Sequence, residues 1–254
     1  MAERYVLTEM SWPEVEKALK TVEIAIIPVG AHEQHGPNLA ESCDAVRARE
    51  FSKLAAERLY PYVVVTPTIN MGISYHHMPF PGTITLRPET LIELLRDICN
   101  SLKKHGLKKF LFLNGHGGNS TTLDIATKIL HEEENIEVAQ VKYTDLAPES
   151  LAKYIHSEEF GHSCEREVSE ALYLIPEIVK TDSIEKSKTK KFPINNVSPV
   201  SGGPFTMGYS WDQKSINGAL GDATQASKEI GKAICDEALD NLAKFIEEFM
   251  AYKK

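Results

Sequence analysis

The stretch that decides the fold runs Val22-Glu-Ile-Ala-Ile-Ile-Pro-Val29 and continues directly into Gly30-Ala-His-Glu-Gln-His-Gly-Pro-Asn-Leu-Ala-Glu-Ser-Cys-Asp44. Its first half is short and almost unbroken in apolar character, the pattern of a strand buried on both faces. Its second half gathers histidines, carboxylates and turn formers within a few residues. A helical stripe follows over 45–59, carried by Phe51, Leu54, Ala55 and Leu59. Strand, ligand-rich loop and helix in that order open a parallel α/β sheet.

Working outward, the same alternation continues. Residues 63–69 predict a second strand, and a helix begins at Pro88, a residue suited to a first helical position. Its stripe passes through Leu91, Leu94, Leu95, Ile98 and Leu102 and stops at Gly106. A strand over 109–113, a helix over 121–130 and a strand over 136–142 come next. The chain closes with a long helix from about Asp222, whose apolar face is Ile230, Ile234, Ala238, Leu242, Ile246 and Phe249. The predicted class is α/β, with a mostly parallel central sheet covered on both faces. Residues 181–221 are rich in Pro, Gly, Ser and Asn and lack a period. A loop of that length inside a compact domain implies a lid or a contact with another subunit. No repeat or linker divides the chain, so 1–254 reads as one domain.

Composition narrows the function classes. Of 254 residues, 42% are apolar and 25% charged, which are globular values. With 28 basic and 36 acidic residues the net charge is −8, opposite to a nucleic-acid footprint. The basic run Lys186 to Lys191 sits among polar residues and reads as a solvated loop. No run approaches the roughly 20 consecutive apolar residues of a membrane-spanning helix. Residues 1–11 carry charge and no apolar core, so no secretory signal is expected. Cys43, Cys99, Cys164 and Cys235 form no paired motif and read as reduced thiols of a cytoplasmic protein.

The chemistry-bearing residues cluster at two predicted strand ends, where open α/β sheets place their ligands. Glu33 and His35 lie two apart, so an extended segment points both the same way. Asp44 follows a Pro- and Gly-bearing loop; it suits either a helix cap or a ligand folded back towards them. At the end of the 109–113 strand stands Asn114-Gly-His-Gly-Gly-Asn119, with His116 between glycines. Two carboxylates and two imidazoles suit Zn²⁺, Mn²⁺ or Fe²⁺ better than a thiolate-bound structural zinc.

At these residues the sequence resembles the creatininase (creatinine amidohydrolase) family. The run Glu33-Gln-His-Gly-Pro-Asn-Leu-Ala-Glu-Ser-Cys-Asp44 is similar to the family's first motif. Gly72, Ser74, His77, Phe80, Pro81, Gly82 and Thr83 match the second, and Asn114 to Asn119 the third. His162-Ser-Cys-Glu165-Arg-Glu167-Val-Ser169 resembles the fourth, and Gly218, Gly221, Asp222, Ala223 and Gly231 a weaker fifth. The resemblance implies a three-layer α/β/α sandwich, two divalent metal ions per chain (Zn, Mn or Fe), a small-molecule substrate and a homo-oligomer, commonly a hexamer.

Carried over by position, it puts Glu33, Asp44 and His116 on one metal and His35, Asp44 and Glu165 on the other, with Asp44 bridging. In creatininase a glutamate two residues after the third-motif histidine is a ligand; Gly118 stands there here, and the role passes to Glu165. Glu165 reads alternatively as a first-turn helix acid. The resemblance makes His162 the proton shuttle; the alternative is a histidine that only orients Glu165. His77, Ser74 and Trp211 become substrate contacts, Trp211 in a lid role. His76 replaces a frequent glutamate and reads as exposed. Asn38, Ala40, Cys43 and Val168 depart from the usual His, Pro, Thr and Thr. Cys43 reads as a packing residue, because no neighbouring positive charge is evident. The expected activity is metal-dependent hydrolysis of a cyclic amide or formamide-type C–N bond. The alternatives are C–C opening of a cyclic keto-inositol and peptide maturation, as in other members of the family.

Overall fold

The computed structural model describes residues 4–191, 194 and 207–253. Its elements are β1 (Tyr5–Val6), α1 (Trp12–Ala18), β2 (Ile24–Val29), α2 (Cys43–Arg58), β3 (Val63–Val65) and α3 (Pro88–Lys103). They continue as β4 (Lys109–Asn114), α4 (Ser120–Glu134), β5 (Glu137–Lys142), α5 (Pro148–Tyr154), α6 (Glu165–Leu174) and α7 (Lys228–Ala251). The strands form one sheet in the order β1-β3-β2-β4-β5, and every neighbouring pair is parallel.

The apolar run of β2 is buried at every position because helices cover both sides. Alternate residues serve opposite layers. Ile24 and Ile26 join Leu111 and Leu113 of β4 beneath Phe51 of α2 and Ile234, Ala238 and Leu242 of α7. Ala25, Ile27 and Val29 join Phe110 and Phe112 beneath Leu91, Leu95 and Cys99 of α3 and Leu123, Ala126 and Leu130 of α4. This is the expected α/β/α sandwich. Each fully buried Ile, Leu or Phe adds about 1.5–3 kcal/mol relative to exposure, so the two cores hold the sheet between them.

The differences from the sequence reading have local causes. The 63–69 strand shortens to β3, and Ile69 keeps only an isolated bridge to Val29. Leu94 faces outward, 39% exposed, while Leu91, Leu95 and Cys99 carry the buried side of α3. The last helix starts at Lys228 rather than near Asp222. The Ser227 side chain caps it by accepting from the Ile230 N–H, and Asp222 caps a separate short turn at Ala223–Gln225. Part of the 181–221 segment lies outside the described residues. The rest consists of short turns at Thr181–Ser183 and Trp211–Gln213 and bridges such as Thr189 to Ser215. Among the described residues no helix is long and apolar enough to cross a membrane.

The topology fixes where a ligand can sit. After β2 the chain turns to α2 on one face, and after β4 it turns to α4 on the other. These adjacent strands therefore send their loops apart, opening a crevice at their carboxyl ends.

Candidate metal centre

Both ligand-rich loops leave that crevice. Val29 and Asn114 are paired in register, so the residues that follow them begin side by side. Asn119 ties the loops together: its amide donates to the Gly30 carbonyl at 3.0 Å, and its oxygen accepts the Ile73 N–H at 2.8 Å. Gly115 permits close approach to α2; a Cβ there would stand 2.4 Å from the Asp44 carbonyl oxygen.

Glu33, His35, Asp44 and His116 converge as expected and are all buried. His116 Nδ1 lies 3.2 Å from Glu33 Oε1 and 3.1 Å from Asp44 Oδ2. His35 Nε2 lies 3.2 Å from Asp44 Oδ1. Asp44 thus turns one oxygen towards each imidazole. It sits in the first turn of α2 and caps nothing, since Ser42 occupies the cap position.

The outer partners orient these rings. His116 Nε2–H donates to the Ile73 carbonyl at 3.1 Å, and His35 Nδ1–H donates to the Glu33 carbonyl at 3.1 Å. Each ring thereby turns its other nitrogen towards the carboxylates. Ser74, expected as a substrate contact, is wholly buried, and its Oγ donates to Glu33 Oε2 at 2.6 Å and holds that carboxylate.

Glu165, expected as a ligand, is placed apart from the other four. Its Oε2 accepts the Asp222 N–H at 2.7 Å, away from the histidine cluster. Glu167 comes forward instead, with Oε2 3.8 Å from His35 Nε2. Two residues along a helix turn the side chain by about 200°, so only one of the pair can face the crevice. The Ser163 N–H donates to Glu167 Oε2 at 2.6 Å, from a residue in the left-handed region at φ 51°. Behind this layer lies Arg47, fully buried. Its Nη2 donates to Asp44 Oδ1 at 3.0 Å and to Glu167 Oε1 at 2.9 Å, and its Nη1 to Glu170 and to the Tyr143 hydroxyl. Its Nε donates to Cys43 Sγ at 3.1 Å, so Cys43 does have a cationic neighbour.

The electrostatics follow from burial and crowding. Burial pushes the Glu33 carboxyl above its ordinary range despite the His116 charge. Burial also works to raise Asp44 and Glu167, but their cationic neighbours outweigh it. His35 and His116 hold Asp44 well below its usual range, and Arg47, Arg166 and His35 bring Glu167 down to about 2. Ligand atoms approach within 4.8 Å of one another in four sets: Glu33 with His76 and His116, Glu33 with His77 and His162, His35 with His162 and Glu167, and His35 with Cys43 and Asp44. Glu33 Oε1, His35 Nε2 and Asp44 Oδ2 are buried yet have no hydrogen-bond partner. Buried polar atoms without a hydrogen bond are uncommon, and divalent cations are groups that carboxylate and imidazole atoms of this kind would hold.

Above the cluster His162 stacks between His35 and His77, with centroids 4.4 Å from each. Its Nε2–H donates to the Gln34 carbonyl at 2.7 Å, which leaves Nδ1 bare, 3.7 Å from Glu33 Oε1. The Gln34 amide meanwhile donates to His77 Nδ1 at 2.8 Å and to the Gly218 carbonyl at 3.1 Å. Trp211 packs on His77 and His162 at 4.7 and 5.0 Å and donates to the Gly218 carbonyl at 2.7 Å. His76 is only half-buried and stacks on His116 at 5.7 Å, so it belongs to the site. These rings and Tyr209 wall a cavity of about 780 Å³ over Glu33 and Asp44. Gly118 forms part of its floor, and a Cβ there would lie 2.3 Å from His116 Nε2 and 2.4 Å from the Ile73 oxygen. No glutamate fits at that position on this backbone.

A carboxylate–imidazole cluster in the switch-point crevice of a parallel α/β/α sandwich is the setting of an active site, and likeness to creatinine amidohydrolases makes the chain an enzyme of the hydrolase class. The chain belongs to the creatininase family: the family's sequence profile, creatinine amidohydrolase, matches residues 8–246. It is 26% identical to a creatinine amidohydrolase of Pseudomonas putida, over 98% of each chain. It is 28% identical to a 3-dehydro-scyllo-inosose hydrolase of Thermotoga maritima, over 95% of this chain and 82% of that one. A creatininase structure described as the Mn form superposes with a TM-score of 0.81 at 26% identity, covering 98% of this chain and 99% of its own.

Proposed function

We propose that this hydrolase is a metal-dependent amidohydrolase that cleaves the C–N bond of a small cyclic amide or formamide. The observation that carries the reading is the trio of buried ligand atoms on Glu33, His35 and Asp44 that make no hydrogen bond, beneath a cavity of small-molecule size. Glu33, Asp44 and His116 would hold one ion, and His35, Asp44 and Glu167 the other. Bound there, the ions would supply an acidified water and polarisation of the substrate carbonyl.

The chain's own residues supply the proton traffic. Burial and the neighbouring His35 charge bring His162 down to about 3, so its ring is neutral at working pH. Its Nδ1, 3.7 Å from Glu33 Oε1, is placed where it would pass a proton between a water and the leaving nitrogen, and ion binding that removes the His35 charge would raise its basicity. Gln34 and Trp211 keep that ring in place, and His76, His77 and Tyr209 form the wall against which a flat substrate lies.

The test is a turnover screen of metal-loaded protein on cyclic amides, formamides and inososes. Hydrolysis of an amide or formamide is the expected result; activity on inososes alone would replace the C–N reading with ring opening at a C–C bond. His162→Ala should lower kcat by about 10²–10⁴-fold while leaving metal content unchanged. Unaltered turnover in that variant would remove His162 from the mechanism.

A further inference from the structure

We propose that Cys43 is a sulfur ligand to the ion at His35, which makes this second position selective for zinc over manganese. The proposal rests on the metal-dependent reading above and concerns a residue at which the chain departs from the threonine of the family pattern. Cys43 is fully buried at the first position of α2. One side of it packs on Leu39, Val168 and Ala171. On its other side the sulfur lies within 4.8 Å of ligand atoms of both His35 and Asp44.

His35 Nε2 is the independent pointer to a ligand. It is buried and makes no hydrogen bond, lying 3.2 Å from Asp44 Oδ1, while the opposite ring nitrogen is committed to the Glu33 carbonyl. That nitrogen faces the space that Cys43 Sγ and the Asp44 carboxylate border. Arg47 Nε–H donates to Sγ at 3.1 Å, which fixes the sulfur and occupies one of its lone pairs. A ligating sulfur is commonly oriented by such an outer donor. Binding exchanges the S–H bond for a metal–sulfur bond and releases the proton to solvent. Sulfur beside imidazole favours Zn²⁺, whereas Mn²⁺ favours oxygen ligands.

X-ray absorption at the zinc edge of the zinc-loaded protein reads the ligand directly. The expected spectrum contains a sulfur shell at about 2.3 Å, in addition to nitrogen and oxygen shells near 2.0 Å. Cys43→Ser and Cys43→Ala should each lose that shell and lose at least about tenfold of the preference for zinc over manganese in competition binding. Two bound zinc ions with nitrogen and oxygen shells only would overturn the proposal and leave the metal-dependent reading standing. A sulfur shell that persists in both variants would also overturn it, since the sulfur would then come from another cysteine. Failure of the wild-type protein to bind zinc would overturn the metal-dependent reading and this proposal together.

Discussion

Replacing Arg47 by methionine removes a cation that touches three buried carboxylates while keeping most of the side-chain volume. Arg47 sits 3.0 Å from Asp44 and 2.9 Å from Glu167, and it also bonds Glu170. Asp44 retains its histidines, and Glu167 retains Arg166 at 3.2 Å. Glu170 is left with Tyr143 and an Arg166 nitrogen 4.0 Å away. Breaking a buried ion pair from one side costs about 3–5 kcal/mol, because the remaining charge stays in a poor solvent for it. The drop of Glu167 from 4.5 to about 2 corresponds to about 3 kcal/mol for that group in its whole setting. We therefore expect Arg47→Met to lower the unfolding free energy of chelator-treated protein by about 3–5 kcal/mol at pH 7, measured by urea unfolding with an unchanged m-value. Because the folded value of Glu167 lies below the unfolded one, this stability is fully present above pH 4.5. It is lost as the pH falls from 4.5 towards 2, so the gap between wild type and variant should narrow there. Adding Glu170→Gln to the variant should return about 1 kcal/mol or more by removing the stranded charge. A loss below about 1 kcal/mol, or a double variant no more stable than the single one, would refute the reasoning.

Two further substitutions test the geometry of the cluster. Glu167→Gln should weaken binding of one metal ion by at least about tenfold in a competition titration, whereas Glu165→Gln should leave both affinities unchanged; the reverse ranking would restore Glu165 to the site. Gly118→Ala should lower metal affinity by about tenfold or more, because its Cβ enters the space between His116 Nε2 and the Ile73 carbonyl that orients the ring. Undiminished binding would mean that the hydrogen bond is dispensable.

The parts of the fold that were legible in the sequence are those whose burial imprints a period. β2 and β4 read as continuous apolar runs, and α3 and α7 as stripes, because each packs on a large surface. β1 is two residues long, and only its pairing with β3 makes it a strand; no period can announce it. The seven-residue helices α1 and α5 are too short to show a stripe and contain few buried side chains. In the site, Glu33, His35, Asp44 and His116 were legible because they follow strand ends. Glu165 and Glu167 were not separable, since the choice depends on which face α6 turns to α2 and α7. Arg47 left a signal that could have been used: it lies three residues after Asp44 and four before Phe51, on their face of the helix. An arginine on a core-facing stripe needs buried acids, and Glu167 and Glu170 stand at helical spacing to supply them.

The pairing of β2 with β4 carries a consequence for how this family diversifies. The cluster at the bottom of the cavity is anchored to adjacent strand ends and to the first turns of α2 and α6. The upper wall comes from residues 75–77 and 207–220, which contribute little to either core. Under the proposed function, substitutions in the upper wall would change what the cavity accepts while leaving the sandwich core and the ligand cluster in place. Relatives of similar identity to this chain bear the names of a creatinine amidohydrolase and of an inosose hydrolase.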